Sequence, residues 1–146
     1  MRPSKIKTFL EMAKVLSKLS TCNRRQVGAI MVDKDWRIVG SGYNGNAKEL
    51  VHCIDEPCKG ALSLSGTRLD LCEAIHAEQN ALMQCSNIDS IEAIFVTTSP
   101  CMHCLKMLMN TNCKHIYFSE EYVDAYRTED LWITNGDRYW TQISCT

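Results

Sequence analysis

The sequence predicts an α/β domain of three layers, a mixed sheet with helices on both faces. Two observations carry this. The apolar patterns run helix, hairpin, helix, strand, helix, strand along the chain, and the last strand–helix–strand must close as a parallel, right-handed crossover. With 146 residues the chain fits one domain, read as 1–146, and is long enough to bury a proper core.

The elements follow in order. Apolar residues recur at Ile6, Phe9, Leu10, Ala13, Leu16 and Leu19, a helical stripe over 4–19 whose start Ser4 can cap. The apolar run "VGAIMV" (27–32) predicts a buried strand, and "DKD" turns the chain into a second, "RIVGSGYN", to make a hairpin. Residues 44–71 hold four glycines or prolines and few apolar runs. So long a connection in a compact domain is expected to be functional or held by something. "AIHAEQNALMQC" predicts a helix and "EAIFVTT" a buried strand; Pro100 then opens a helix through Met109, and "KHIYFSE" is a strand. Beyond Tyr122, "VDAYRTEDLWI" is compatible with a helix, and nothing is assigned after Asn135.

Composition narrows the function. Lys plus Arg number 16 against 17 Asp plus Glu, which argues against a broad basic surface for nucleic acid and leaves room for small charged ligands. The sequence has neither an 18-residue apolar run nor a signal-peptide pattern at its start, so a soluble, cytoplasmic protein without membrane partners is expected. Nine cysteines, an odd count without a secretion signal, point to metal binding or catalysis rather than a disulfide framework. Cys85 and Cys113, among apolar neighbours, are expected to be small core hydrophobes.

The chemistry lies in two short motifs. His76 and Glu78 are two apart, which in mid-helix would point them roughly 200° apart. They converge only if the helix begins there and its end faces a pocket. Cys101 and Cys104, three apart after Pro100, share one face of a first helical turn, where thiolates are stabilised. One imidazole and two thiolates leave a fourth tetrahedral position open, as in a catalytic zinc site. Zinc lowers the pKa of a bound water from 15.7 to about 7, and Glu78 would carry that water's proton. A four-ligand cluster recruiting His103 or another cysteine leaves Glu78 without a role, and His103 lies on a different face.

H-x-E followed by P-C-x-x-C is the signature of the zinc nucleobase deaminases. With "STCNRRQVGAIMV", "GSGYNG", "HAEQNAL", "VTTSPCMHCLKML" and "KHIYFSEEY", roughly residues 5–122 resemble the deoxycytidylate (dCMP) deaminases of the zinc-dependent cytidine and deoxycytidylate deaminase family. The resemblance implies the cytidine-deaminase-like α/β/α fold with a mixed, mostly five-stranded sheet. It implies His76, Cys101 and Cys104 as ligands of a catalytic zinc and Glu78 as proton shuttle. Asn44 would contact the deoxyribose, Ala77 and Tyr122 would lie at the substrate, and Arg24, with Arg25 as a second candidate, near the phosphate, where an arginine fork suits phosphate oxygens. Read from the residues alone, Arg24 and Arg25 are equally a solvated pair, Asn44 a turn residue and Tyr122 a packed ring.

The implied reaction is hydrolysis of dCMP to dUMP and ammonia, by attack at C4 with Glu78 protonating N3 and then the departing amine. It would supply dUMP for thymidylate synthesis. The resemblance also implies a homo-oligomer, usually a hexamer, activated by dCTP with Mg2+ and inhibited by dTTP, with Tyr43, Asn44 and Gly45 at the allosteric nucleotide. Deamination of dCTP as well as dCMP is the alternative activity, and a noncatalytic zinc module that binds nucleotides the alternative class. Finally, family members with an insertion before the H-x-E helix often hold it with a second zinc. Cys22, Cys53, Cys58 and Cys72, with His52 as a substitute, would then clamp the loop over 44–71 as a closed structural site; free thiols or a disulfide are the other readings of these cysteines.

Overall fold

The computed structural model describes residues 2–22, 25–46, 48 and 74–144. Helix α1 spans Lys5–Ser17, with the Ser4 hydroxyl accepting from the Lys7 N–H at its start. Strands β1 (Gly28–Val32) and β2 (Ile38–Tyr43) pair antiparallel, with a register shift between Met31 and Val32. The turn between them is longer than "DKD". Asp33 Oδ1 accepts from the N–H groups of both Asp35 and Arg37 at 2.9 Å, and Trp36 takes a left-handed φ of 64°. Two-residue strands β3 (Gly45–Asn46) and β4 (Ala74–Ile75) pair with each other, then α2 spans Ala77–Gln84. Strand β5 (Ala93–Thr98), helix α3 (Met102–Met109), strand β6 (His115–Glu120), helix α4 (Ala125–Thr134) and strand β7 (Tyr139–Gln142) complete the described chain.

The sheet order is β2-β1-β5-β6-β7. β1 meets β5 antiparallel, while β5–β6 and β6–β7 are parallel, so the expected crossover is present and the sheet is mixed. The period-2 alternation of the strands divides the core. Ala29, Met31, Ile94, Val96, Ile116 and Phe118 face α2, α3 and α4. Ile30, Val32, Ala93 and Phe95 face Leu10 and Ala13 of α1. The layers are therefore one helix, the sheet, and three helices. Among the described residues no helix is long and apolar enough to cross a membrane.

Three sequence expectations need correction. The α1 stripe ends at Leu16, because the helix ends at Ser17 and Leu19 stands exposed. The second helix begins at Ala77 rather than Ala74, since Ala74 and Ile75 are taken by the β3–β4 pair. The fifth strand comes from the unassigned tail, fastened where the Trp132 indole N–H donates to the Tyr139 carbonyl at 3.0 Å. The helix suggested by "VDAYRTEDLWI" is α4. The expected inserted loop, with Cys53, Cys58 and Cys72, lies outside the described residues.

Two glycines fix how α2 meets the sheet. A Cβ on Gly42 would lie 2.6 Å from the Ala77 carbonyl oxygen and 2.7 Å from the Ala81 nitrogen, and one on Gly40 would lie 2.6 Å from the Ala81 carbonyl oxygen. Helix and strand touch backbone to backbone, a use of strand glycine that shape alone requires. Replacing Gly42 with alanine must push α2 off β2. Denaturant unfolding is expected to show a loss of about 2–3 kcal/mol, and bound zinc should fall with it.

Cys113 is a core residue as expected, and burial pushes its thiol from near 9 up to about 12. A raised folded value stabilises fully below the unfolded pKa and loses that stabilisation as pH climbs from about 9 towards 12. Iodoacetamide at pH 9.5 should therefore label Cys113 in unfolded protein and spare it in folded protein.

Candidate active site

The starts of α2 and α3 converge on one small space. His76 is the N-cap of α2, extended at φ −70° and ψ 154°, and its backbone N–H donates to the Gln79 side-chain oxygen at 2.8 Å. The imidazole reaches toward the start of α3. Its Nδ1 lies 3.3 Å from Cys104 Sγ and 3.5 Å from Cys101 Sγ. Cys101 is the N-cap of α3 and Cys104 sits one turn in, held by the helix's first bond from the Leu105 N–H to the Cys101 carbonyl at 2.9 Å. The three ligand atoms lie within 4.8 Å of one another, and among the described residues they form the cluster able to hold a metal. His103 is exposed and outside it.

This donor set fits zinc. Bond lengths of ~2.3 Å to sulfur and ~2.05 Å to nitrogen in a tetrahedron place N and S ligands about 3.6 Å apart, close to the two nitrogen–sulfur separations seen here. The electrostatics agree. The Cys104 side chain hydrogen-bonds to Cys101 and brings the Cys101 thiol down to about 4, with His76 adding to the effect. The same bond, with burial, pushes Cys104 up. The His76 imidazole is raised, first by its hydrogen bond to Cys101.

Glu78, in the first turn of α2, is 4 % exposed, and burial pushes its carboxyl up to about 7, against the pull of its backbone hydrogen bond and of His76. It also interacts with the Cys104 side chain. A buried carboxylate beside three ligand atoms, rather than a fourth thiolate, is the arrangement of an open centre.

The remaining expected residues differ in their engagement. Asn44 is buried; its Nδ2 donates to the Arg25 carbonyl at 2.6 Å and its Oδ1 accepts from the Val27 N–H at 2.8 Å. The Arg25 guanidinium carbon stacks over the Tyr122 ring at 4.7 Å. Ala77 is wholly buried, its carbonyl turned to Gly42. Tyr43 is exposed and Gly45 is close-packed, a Cβ there meeting Thr21 Oγ1 at 2.7 Å. Cys22 is buried and near enough to raise the His76 pKa, whereas Arg24, His52, Cys53, Cys58 and Cys72 lie outside the described residues.

Four residues at the site went unread in sequence. Gln79 had a signal, the spacing of a capping box three residues after the N-cap. Gly42 had one too, as a glycine inside a strand. Asn80, whose side chain donates to the Tyr43 carbonyl at 2.8 Å, and Ser99, whose hydroxyl accepts from the Tyr122 N–H at 2.7 Å, gave none.

Fold and cluster together define an α/β domain with a zinc-binding site. The family described as the cytidine and deoxycytidylate deaminase zinc-binding region matches residues 3–120. The chain belongs to the cytidine and deoxycytidylate deaminase family. It is 40% identical over 133 residues to ComE operon protein 2 of Bacillus subtilis, covering 88% of this chain and 66% of that one. It is 35% identical over 129 residues to the deoxycytidylate deaminase of Mycobacterium phage D29, covering 82% and 98%. The crystal structure of a dCMP deaminase from the cyanophage S-TIM5, in complex with dCMP and dUMP, superposes with a TM-score of 0.76 at 29% identity, covering 98% and 99%. Matches to two yeast deoxycytidylate deaminases, at 28% and 31% identity, span 39% and 38% of those longer proteins.

Replacing His76, Cys101 or Cys104 singly with alanine should remove one zinc per chain, measured by elemental analysis of purified protein. Cys85→Ala, outside the cluster, should leave the zinc content unchanged.

Proposed function

We propose that the chain is a zinc-dependent dCMP deaminase, hydrolysing dCMP to dUMP and ammonia. The observation that carries this reading is Glu78, a buried carboxylate in contact with the His76, Cys101 and Cys104 cluster, where a metal held only for structure would have no use for it. In this reading those three residues hold the zinc, whose chemistry is to make a bound water acidic near pH 7. Glu78 takes the proton from the water that attacks C4, gives it to N3, and then passes a proton to the departing amine. The atoms balance as dCMP plus water to dUMP plus ammonia.

The rest of the site reads as the nucleotide's cradle. Ala77 offers a first-turn N–H of α2, a group with no intrahelical partner. Asn44 faces the sugar, and its bond to the Arg25 carbonyl means that sugar and phosphate contacts move together. Arg24 stands at the phosphate, with Arg25, stacked on Tyr122, as the second candidate. The cyanophage complex with dCMP and dUMP supports a free mononucleotide as substrate.

The same proposal extends to regulation. Tyr43, Asn44 and Gly45 carry the allosteric nucleotide, dCTP with Mg2+ as activator and dTTP as inhibitor, in a cytoplasmic homo-hexamer that feeds dUMP to thymidylate synthesis. The turn is physically suited to this. Gly45 pairs with Ile75, one residue before His76, and Asn80 of α2 grips the Tyr43 carbonyl, so a ligand on the turn acts on the start of α2. A second zinc on Cys22, Cys53, Cys58 and Cys72 belongs to the same reading.

The test is ammonia release by zinc-loaded protein from dCMP, deoxycytidine and dCTP, with and without dTTP. Turnover of dCMP that dTTP suppresses is expected, and Glu78→Gln should keep its zinc while losing about 10³-fold in kcat. Comparable turnover of dCTP would favour the bifunctional alternative. Full activity in zinc-loaded Glu78→Gln, or no ammonia from any of the three, would overturn the proposal.

A further inference from the structure

We propose that Ser99 is a positioning residue that sets the grip on the phosphate end of the nucleotide, acting through Tyr122 and Arg25; this rests on the reading of the chain as a dCMP deaminase. Ser99 comes just before Pro100 and Cys101 and is 2% exposed. Its backbone N–H donates to the Glu120 carbonyl at 2.8 Å, and its Oγ accepts from the Tyr122 N–H at 2.7 Å. The first bond continues the β5–β6 pairing. The second reaches beyond it, to a segment that is neither helix nor strand and ends at Asp124 with a left-handed φ of 60° before α4. The Ser99 hydroxyl thus fastens the backbone of Tyr122 to the end of the sheet.

Contacts continue outward from there. The Tyr122 ring carries the Arg25 guanidinium at 4.7 Å, a cation–π geometry that orients the cation. The Arg25 carbonyl is held by Asn44 Nδ2 at 2.6 Å, and the next residue of that turn, Gly45, pairs with Ile75 beside His76. A chain of contacts therefore runs from Ser99, two residues before Cys101, through Tyr122, Arg25 and Asn44 to the pair that precedes His76. The ligands do not depend on the serine hydroxyl. Cys101 and Cys104 are set by the start of α3 itself, and His76 by Gln79. Deleting Oγ loosens the Tyr122–Arg25 wall and leaves the cluster in place.

The test is steady-state kinetics on zinc-loaded enzyme with dCMP and with deoxycytidine, which lacks the phosphate, for the unsubstituted protein, Ser99→Ala and Ser99→Thr, with zinc measured in each. Ser99→Ala should raise KM for dCMP about fivefold, the scale of one lost hydrogen bond, while kcat, zinc content and kcat/KM for deoxycytidine hold. Ser99→Thr keeps the acceptor oxygen and should restore KM. Tyr122→Leu, which removes the ring and keeps the Ser99 bond, should raise KM for dCMP by at least as much and carries the test should Ser99→Ala not fold. An unchanged KM for dCMP, an equal loss on both substrates, or a loss of zinc in Ser99→Ala overturns the inference alone. Absence of dCMP turnover in the unsubstituted protein overturns the deaminase reading beneath it.

Discussion

The close approach of α2 to β2 is the constraint on which the site depends. With no Cβ at Gly40 or Gly42, the helix lies directly on the strand, its Ala77 and Ala81 backbone atoms where side chains would otherwise stand. Ala77 is the first residue of the helix, so that contact also fixes where the helix starts. His76 and Glu78 then inherit their directions, one as the extended N-cap and the other in the first turn. Gly28 plays the matching part on the opposite face, where a Cβ would strike the Ala13 carbonyl of α1. The sheet thus receives helices at backbone distance on both sides near β1 and β2.

Bringing two thiols, an imidazole and a carboxyl into a buried space has an electrostatic consequence. Thiolates and carboxylates resist burial unless positive charge accompanies them. Within the cluster, the hydrogen bond from Cys104 lowers the Cys101 thiol, and the bond to Cys101 raises the His76 imidazole. A divalent ion meets the same need more completely, because it satisfies both sulfurs at once. Helix starts on two sides add partial positive charge from their unpaired N–H groups. Glu78 stands in the first turn of α2, outside the three-atom cluster, and burial raises its carboxyl to about 7.

Much of this was legible in sequence because the signals are local. Ser4 before a 3.6-residue stripe, the apolar runs of β1 and β5, Pro100 ahead of α3 and the H-x-E and P-C-x-x-C pair each need only a few neighbouring residues. What escaped depends on contacts distant in sequence or on weak patterns. The helix α4 is suggested but not fixed by its local pattern, because it buries Ala125, Thr128 and Trp132 and a threonine in the stripe weakens the apolar period. The edge strand β7 has four residues, and its place is set by Trp132, Arg138 and the parallel pairing to β6, none of which a local pattern reports. The β3–β4 pair joins Gly45 to Ile75 across thirty positions, and so displaced the expected start of α2 by three residues. Ser99 sat inside the quoted motif, yet its partner Tyr122 is found only after β6 has folded back beside β5.

The central claim is that the starts of α2 and α3 form one site, which takes the cytosine ring while Arg25 and Tyr122 take the phosphate end. The most direct measurement is a crystal structure of zinc-loaded Glu78→Gln with dCMP, in which slowed turnover preserves the ligand. The account predicts the C4 amino carbon facing His76, Cys101 and Cys104, with the phosphate beside the Arg25 guanidinium. A nucleotide bound elsewhere, or bound with its base turned away from the metal ligands, would contradict it.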